Sequence, residues 1–542
     1  MNLPVPSLNI RQWKADRQLN YQIEKVDEYL RELDEHKDQQ STPVLFFSAS
    51  TRIHRLSLNG AYSLLSSWAL RAAGIPVRYV VCHRGMQQCI LGTHQDRLES
   101  SPPCSRCTRL SQRLFPQELT IPLNFQKETV DSIGSMLQDL SFAEMAAWDF
   151  QNIPLGEFCL PGLRWALRSH HIPDTQEIRQ LFQQYILSAY SLYKNFDEIL
   201  DRQKPRALVV FNGIFYPEAI ARHVAQNRGI PVITHEVGLR PYSTFFSHGE
   251  ATFRQVDLNP EAPLTSSENE RLDQYLSERF QGDFTMAGIR FWPQMADLPN
   301  RFLERMKKFQ QNVVVFTNVV FDTSQIHANT LFSDMFAWLE MLKPIIQAHP
   351  ETLFIIRAHP DEERPGKRSR ESVKEWIADQ GLFEFENVVF FEPGDPVSSY
   401  ELINHSKLVL IYNSSIGLEA SILGAPVLSA GRARFTQIPT VFFPASKKKY
   451  EQRLLAFLDA QEIEVPPSFI ENARSFLYHE LFAASLDLSE FLQPDESLQG
   501  MVTFTDFSPD RLRSSYPLEI IRKGILRDTP FLLGSDNETE CG

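Results

Sequence analysis

The chain has 542 residues, of which 43% are hydrophobic and 22% are charged, and its formal net charge is -13. This length is too great for one ordinary core, and the composition is that of a soluble globular protein with two or three domains. The negative charge and the lack of a large basic stretch argue against a nucleic-acid partner. No stretch approaches the roughly 20 apolar residues of a membrane span, and the N-terminus lacks a signal-peptide pattern, so we expect a cytoplasmic protein.

The first half of the chain opens with alternating helices and strands. Residues 8–40 are polar and helical in period, and TPVLFFSAS (42–50) is a short apolar run that predicts a buried strand. LNGAYSLLSSWALRAAG (58–74) predicts a core helix, and IPVRYVVC (75–82) predicts the next strand. Strands that alternate with helices in this way build a parallel sheet.

The same alternation resumes after residue 170. A long helix is expected to end near residue 203, and RALVVFNG (206–213) reads as another buried strand. A helix at 217–228 and the strand PVITHEVG (231–238) follow. Residues 250–300 carry prolines and polar runs without a strand pattern, so we place a domain boundary there.

The second half repeats this pattern, which predicts an α/β fold with two Rossmann-like domains facing a cleft. Its predicted strands are NVVVFTNVVFD (312–322), TLFIIRAHP (352–360), NVVFFEPGD (387–395), KLVLIYNSS (407–415) and APVLSAG (425–431). Ligands of such sheets bind at the carboxyl ends of the strands. The polar residues at those ends are therefore candidates for a site.

The strand that ends at Tyr412 is followed by two hydroxyls, Ser414 and Ser415, and then by a predicted helix. The first N–H groups of a helix bind phosphate readily, and Gly417 would let a ligand approach closely. Glu419 lies one turn further on, where a carboxylate can accept hydrogen bonds from ribose. This spacing predicts a nucleotide-sugar site, although a helix capped by Ser414 or Asn413, with Glu419 exposed, would also explain the pattern.

A second motif is RAHPDEE, in which His359 stands at a strand end that Pro360 forces out of regular structure. A histidine at that place can donate a hydrogen bond to a leaving phosphate or protonate it, although a structural role is the alternative. Arg357, in the same motif, and Asn318, at another strand end, are further donor-binding candidates.

Four of the six cysteines are clustered as Cys82, Cys89, Cys104 and Cys107. A cytosolic setting argues against disulfides, and the C-x2-C pair suits a tetrahedral metal ion. Three alternatives stay open for this cluster: a structural zinc site, unmetallated cysteines, and redox or iron–sulfur chemistry.

The HP dipeptide, YNSSIGLEA (412–420) and GAPV (424–427) resemble motifs of the bacterial glycosyltransferases of capsule and surface polysaccharides, which include capsule Kdo transferases and sialyl- and polysialyltransferases. The resemblance is good over about 310–435 and thin over 42–250. It implies a GT-B fold and a metal-independent, inverting transfer that needs no cofactor for catalysis. His359 matches the HP histidine, and Ser414 and Ser415 match the Ser-Ser pair that contacts the nucleotide phosphate.

The predicted boundary at 250–300, together with the roles that the resemblance implies, divides the chain into four parts. Residues 1–40 form an N-terminal helical segment, and 41–300 form the acceptor domain with a cysteine-containing insertion at 82–110. Residues 301–445 form the nucleotide-sugar domain, and 446–542 form a helical segment and polar tail. The implied partners are a nucleotide-sugar donor and a glycan or lipid-linked glycan acceptor, so the protein is expected to have at most a weak peripheral association with the inner face of the membrane.

The general base must lie in the first domain, across the cleft from the donor. His235 and Glu236 in THEVG follow a strand and are candidates by position. Arg52 and His54 follow the first strand, and Asp322 is a lesser candidate. A loop hydrogen bond is the alternative role for each of them.

Three other functions fit a similar architecture. A nucleotide-sugar 2-epimerase would show a different glycine and paired-glutamate pattern after the strand. A polyol-phosphate transferase of the teichoic-acid type would also use a phosphate-binding helix end. A degenerate assembly protein would bind nucleotide sugar or polysaccharide without turnover.

Overall fold

The computed structural model describes residues 6–34, 42–49, 55–98, 100–256, 258, 263–280, 285–286, 289–290, 296–364 and 368–534. Its strands are β1 (Val44–Ser48), β2 (Val77–Cys82), β3 (Thr120–Leu123), β4 (Ala207–Phe211), β5 (Val232–Val237), β6 (Ser243–Ser247), β7 (Thr285–Met286), β8 (Ile289–Arg290), β9 (Gln311–Phe316), β10 (Thr352–Arg357), β11 (Val388–Phe391), β12 (Leu408–Ile411), β13 (Val427–Ser429), β14 (Leu486–Asp487), β15 (Leu492–Pro494) and β16 (Val502–Phe504).

Its helices are α1 (Pro6–Asp34), α2 (Leu58–Ala72), α3 (Cys104–Leu114), α4 (Lys127–Gly134), α5 (Phe142–Ala146), α6 (Leu155–Leu167), α7 (Gln176–Gln203), α8 (Tyr216–Asn227), α9 (Ser266–Phe280), α10 (Asn300–Met306), α11 (Gln325–Ala328), α12 (Met335–Ala348), α13 (Val373–Asp379), α14 (Ser399–Asn404), α15 (Ile416–Ile422), α16 (Lys447–Asp459), α17 (Pro467–Tyr478), α18 (Arg511–Ser514) and α19 (Tyr516–Arg527). Among the described residues, no helix has both the length and the apolar character needed to cross a membrane.

The first sheet has the order β14-β6-β5-β4-β1-β2-β3 in the part of the chain that is described. Strands β1 to β5 run parallel to one another, and their order is that of a Rossmann fold. Strands β6 and β14 extend the β5 edge in antiparallel pairing. The apolar runs explain why the parallel strands form, since Val44 to Phe46 and Leu208 to Val210 are all 0–1% exposed.

The second sheet has the order β11-β10-β9-β12-β13, and all of its described pairings are parallel. This is again the strand order of a doubly wound Rossmann fold. The chain adds β10 and β11 on one side of β9, and then crosses over to place β12 and β13 on the other side. The prediction of an α/β fold with two Rossmann-like domains is therefore confirmed.

The C-terminal part of the chain returns to the first domain. Helices α16 and α17 pack on the second domain, where Leu454 and Ala473 belong to its two hydrophobic clusters. Strand β14 then joins the first sheet, and apolar side chains from Leu486 to Phe531 complete one of that domain's hydrophobic clusters. The segment 446–542, predicted as one helical segment and polar tail, is thus divided between both domains.

Two adjacent histidines from the first domain contact acidic residues of the second. The ring Nδ1 of His171 lies 2.7 Å from Oε1 of Glu371, and its Nε2 lies 3.8 Å from Oδ2 of Asp334. His170 Nε2 also lies 3.8 Å from that Asp334 oxygen. We call these four residues the histidine latch. Hydrogen bonds to Asp334 and Glu371 raise the pKa of His171 to about 10, while burial lowers the pKa of His170 to about 4.

The histidine latch predicts a specific pH dependence of stability. Because the pKa of His171 is raised in the folded state, its contribution is complete below its ordinary pKa and is lost as the pH rises through about 10. The melting temperature of wild type should therefore exceed that of His171→Gln most near pH ~6, and the difference should shrink towards pH ~10. The exposed His94 offers a control, since His94→Gln should show no such trend. A His171→Gln difference that stays constant across this range would contradict the prediction.

Candidate functional site

A small pocket of about 50 Å³ lies at the carboxyl ends of the second sheet. It lies where the strand connection reverses, which is the usual ligand position in a doubly wound sheet. Five of the predicted residues line it together with residues that the sequence did not suggest. The lining residues are Arg279, Phe316, Thr317, Arg357, Ala358, His359, Pro360, Ser399, Tyr400, Ser414, Ser415, Ile416 and Glu419.

The two serines are positioned by the end of β12 and the start of α15. Ser415 is the N-terminal cap residue of α15, yet its side chain makes no capping hydrogen bond. Glu419 is only 4% exposed. Both observations contradict the alternative of a side-chain-capped helix with an exposed glutamate. Because α15 has only seven residues, we assign anion recognition to the side chains around the pocket instead of to a long helix.

Gly417 has a different role from the predicted one. It is buried under the strand and does not line the pocket. A Cβ atom added to Gly417 would lie 2.3 Å from Cδ1 of Ile411, so the Ile411 side chain would have to shift. The glycine therefore lets α15 pack closely on β12, and the prediction that it admits a ligand is wrong.

His359 follows β10 and caps a short turn. Its Nδ1 accepts a hydrogen bond from the backbone N–H of Asp361 at 3.1 Å. A neutral imidazole whose Nδ1 accepts must carry its proton on Nε2. The turn therefore favours the neutral tautomer in which Nε2 carries the proton.

Glu419 is held by two partners that sequence reasoning missed. Its Oε1 accepts from Nε and Nη2 of Arg279 at 2.9 and 2.5 Å, and its Oε2 accepts from the hydroxyl of Tyr400. Burial by itself would lower the pKa of Arg279. The charge and the hydrogen bonds of Glu419 act in the other direction and keep this pKa above its usual range. A carboxylate offers about four lone-pair positions, so one is left on Oε2. Contact of Glu419 with ribose stays a prediction, and the structure adds a role in orienting Arg279.

Arg357 lines the pocket, but most of its guanidinium N–H groups donate to a neighbouring loop. Its guanidinium donates to the carbonyl oxygens of Glu392 and Asp395, while its buried Nε has no hydrogen-bond partner in the described structure. Burial lowers the pKa of Arg357 below its usual value. With Arg279 and Arg357 set against the single carboxylate of Glu419, the pocket keeps an excess of positive charge, which suits an anion.

Two predicted donor-binding residues lie beside the pocket and not on its wall. Oδ1 of Asn413 accepts from Nε2 of Gln325 at 3.3 Å. The backbone N–H of Asn318 donates to the sulfur of Met335, and Oδ1 of Asn318 is buried with no partner in the described residues. Asn413 thus contacts the start of α11, and donor contact by either residue stays a prediction.

The two candidate bases lie next to each other on β5 but in different surroundings. His235 is 1% exposed, its ring stacks on Phe246 at 5.3 Å, and burial lowers its pKa to about 3. A group that stays unprotonated down to that pH is a weak proton acceptor near neutrality. This environment argues against His235 as the base.

Glu236 has the surroundings that a base requires. It is half-buried, and its carboxylate accepts from Nδ2 of Asn59 at 3.1 Å and from Nδ2 of Asn212 at 2.8 Å. Burial raises its pKa, and the nearby Asp322 of the second domain adds to the rise. Glu236 therefore lies on the side of the first domain that faces the second one. Arg52 and His54, the other candidates, lie outside the described residues.

The four clustered cysteines line a separate pocket at the carboxyl ends of the first sheet. None of the four forms a disulfide in the described part of the chain. Burial raises the pKa of Cys89 and of Cys107 to about 12 and also raises that of Cys82.

Two Rossmann-like sheets with a polar, positively charged pocket on the second define a two-domain α/β protein with one anion-binding candidate site. The sequence model of the capsule polysaccharide biosynthesis protein family matches residues 299–439, which contain β9 to β13 and nearly all of that pocket. This match confirms the predicted resemblance to capsule polysaccharide biosynthesis proteins over these residues, which are about a quarter of the chain. No curated protein sequence matches the chain.

Several solved structures align with the chain at low identity. KpsC from Thermosulfurimonas dismutans, a beta Kdo 2,4 transferase, aligns at 12% identity over 58% of this chain and 88% of that chain, with a TM-score of 0.35. The UDP-GlcNAc 2-epimerase from Neisseria meningitidis aligns at 13% over 81% and 98%, with a TM-score of 0.24. The glycosyltransferase SsfS6 from Streptomyces sp. SF2575 aligns at 12% over 81% and 96%, with a TM-score of 0.22. Since these scores are low, we take the fold from the sheets of the chain itself.

Proposed function

We propose that the pocket of the second domain binds the phosphate of a nucleotide-activated sugar, and that the chain transfers this sugar to a glycan. The observation that carries the proposal is the convergence of Arg357, His359, Ser414, Ser415 and Glu419 on one pocket. These residues come from the ends of two strands and the start of one helix, and they surround the position where ligands of doubly wound sheets bind.

The charges of the site fit a departing phosphate. The neutral form of His359 carries a donor at Nε2, and the serine hydroxyls add further donors. Such groups stabilise the charge that develops on a leaving nucleotide and do so without a metal ion. Arg279, fixed by Glu419, contributes a positive charge at the wall of the same pocket.

The first domain supplies the acceptor side. Glu236 takes the proton from an acceptor hydroxyl, which then attacks the anomeric carbon of the donor sugar and releases the nucleotide. A single displacement of this kind inverts the configuration at that carbon. The half-buried position of Glu236, with two asparagine amides holding its carboxylate, fixes the direction from which it can reach an acceptor.

Nucleotide binding tests the donor site directly. A hydrogen bond from Ser415 to a phosphate is a bond to a charged group, worth about 1.5–3 kcal/mol. Ser415→Ala should therefore weaken binding of the matching nucleotide about 10- to 150-fold in calorimetric titration. The ligand comes from a thermal-shift panel of CMP, UDP, GDP and their sugars, since a ligand that binds the native state raises the melting temperature.

Ser446 provides a matched control for this substitution. Its side chain caps α16 by accepting from the N–H of Lys449, whereas Ser415 makes no capping bond. Ser446→Ala should lower the melting temperature and leave nucleotide affinity unchanged, and Ser415→Ala should do the reverse. If Ser415→Ala leaves affinity unchanged, the phosphate does not bind at this strand end.

Product analysis separates the transferase from the other functions. A transferase releases nucleotide only when a glycan acceptor is present, whereas an epimerase converts the nucleotide sugar without any acceptor. A polyol-phosphate transferase leaves a phosphate in its product. Nucleotide-sugar binding without turnover would identify an assembly protein.

A further inference from the structure

The four clustered cysteines come from three separate parts of the first domain. Cys82 is the last residue of β2, Cys89 lies in the loop after it, and Cys104 and Cys107 lie in the first turn of α3. Residues three apart in a helix share one face, so the last two thiols point in the same direction. All four line one cavity of about 50 Å³, which exceeds the space that one water molecule needs.

The loop between β2 and α3 is built to bring these residues together. Gly92 approaches Pro102 so closely that a Cβ atom on the glycine would lie 2.6 Å from the proline Cα. This contact closes the loop and places Cys89 beside the start of α3. The backbone N–H of Gly85 donates to the sulfur of Cys82 at 3.4 Å, a type of bond that stabilises a thiolate ligand.

The remainder of the cavity wall is mostly apolar, with Met86, Ile90, Trp165, Phe211 and Phe215 around the thiols. Free cysteines can serve as small hydrophobic residues, and Cys159 does so at 0% exposure in a core of the same domain. A hydrophobic role does not require several cysteines to line the same cavity. Four cysteines that line one cavity instead supply the number and type of ligands that thiophilic metals require. No three of their sulfurs lie within 4.8 Å of one another in the described structure, so the side chains would have to rotate to gather around a single ion.

We propose that Cys82, Cys89, Cys104 and Cys107 bind a thiolate-coordinated metal centre, which is either a single Zn²⁺ or an iron–sulfur cluster. Both occupants use four cysteine thiolates, and both would cross-link the end of β2, the following loop and α3. The cavity also borders Ala49 after β1 and Phe211 at the end of β4, which is the ligand-binding edge of the first sheet. The centre therefore fixes the shape of the acceptor side and is independent of the donor pocket.

Metal analysis of the intact chain tests this inference. The protein is purified without chelators and in the absence of oxygen, and zinc, iron and acid-labile sulfide are measured per chain. About one zinc per chain indicates a single ion, whereas about four iron and four sulfide per chain indicate a cluster. A metal-free preparation is then incubated with Zn²⁺ alone, and separately with ferrous iron and sulfide.

Variants show whether the metal is bound at this cavity. Cys104→Ser should reduce the metal content to about a tenth or less and should lower the melting temperature. Ser105→Ala, an exposed position in the same helical turn, should leave both unchanged. Wild-type protein that contains no metal and takes up none in either incubation overturns the proposal, whatever the folding of the variants. Full metal content in a folded Cys104→Ser protein also overturns it.

Discussion

Replacement of His359 by alanine is expected to lower kcat about 100-fold or more while the protein stays folded. The reason is the tautomer that the turn after β10 favours: Nδ1 accepts from the N–H of Asp361, so the neutral ring carries its proton on Nε2, the atom that we expect to donate to the leaving phosphate. Steady-state kinetics with the nucleotide sugar identified by the thermal-shift panel measure the effect.

A second substitution separates the chemical role of His359 from its structural one. Asparagine at this position keeps an oxygen that can accept from the N–H of Asp361, but it has no donor where Nε2 stood. His359→Asn should therefore retain the turn and still lose activity. His405→Ala, at an exposed histidine of the same domain, should behave like wild type. If His359→Asn restores normal turnover, the histidine only caps the turn.

Glu236→Gln is expected to lower kcat about 10²- to 10⁴-fold, which is the usual size of general-base catalysis. Nucleotide affinity should not change, because Glu236 lies in the other domain. Burial raises the pKa of Glu236. In wild type, the apparent pKa of the acidic limb of the pH profile of kcat/KM should therefore lie above the ordinary glutamate value of about 4.3. The residual activity of Glu236→Gln should lack that limb.

Asp322 supplies a discriminating control for the base. It is exposed, and its charge helps to raise the pKa of Glu236. Asp322→Asn should leave the maximal rate near normal and should move the acidic limb to lower pH, because one like charge has been removed. If Asp322→Asn carries the large loss of kcat and Glu236→Gln does not, the assignment of the base is reversed.

The sequence was informative wherever a local pattern decided the structure. Apolar runs such as LVLI and VLFF lie in parallel strands that are buried on both faces, so their positions could be predicted within a few residues. The carboxyl ends of parallel strands meet at one edge of a sheet, so the predicted strands placed His359, Ser414 and Ser415 at the same edge. The pocket confirmed that these residues meet.

Contacts between distant residues could not be predicted in this way. Arg279 lies on a polar helix 140 residues before Glu419, and no periodicity connects the two. For Gly417 the sequence pattern was ambiguous, because a glycine after a strand can either admit a ligand or allow a helix to pack closely. Only the position of Ile411 beneath it distinguishes these possibilities.

The return of the chain to its first domain bears on the order in which the protein can fold. A nascent chain emerges from the ribosome with its N-terminus first, and domains generally fold as they emerge. Here the side chains from Leu486 to Phe531 belong to the same core as β1 and α2, which were synthesised hundreds of residues earlier. The first domain therefore cannot complete its core during most of translation, and the second domain is fully synthesised before the first one can close.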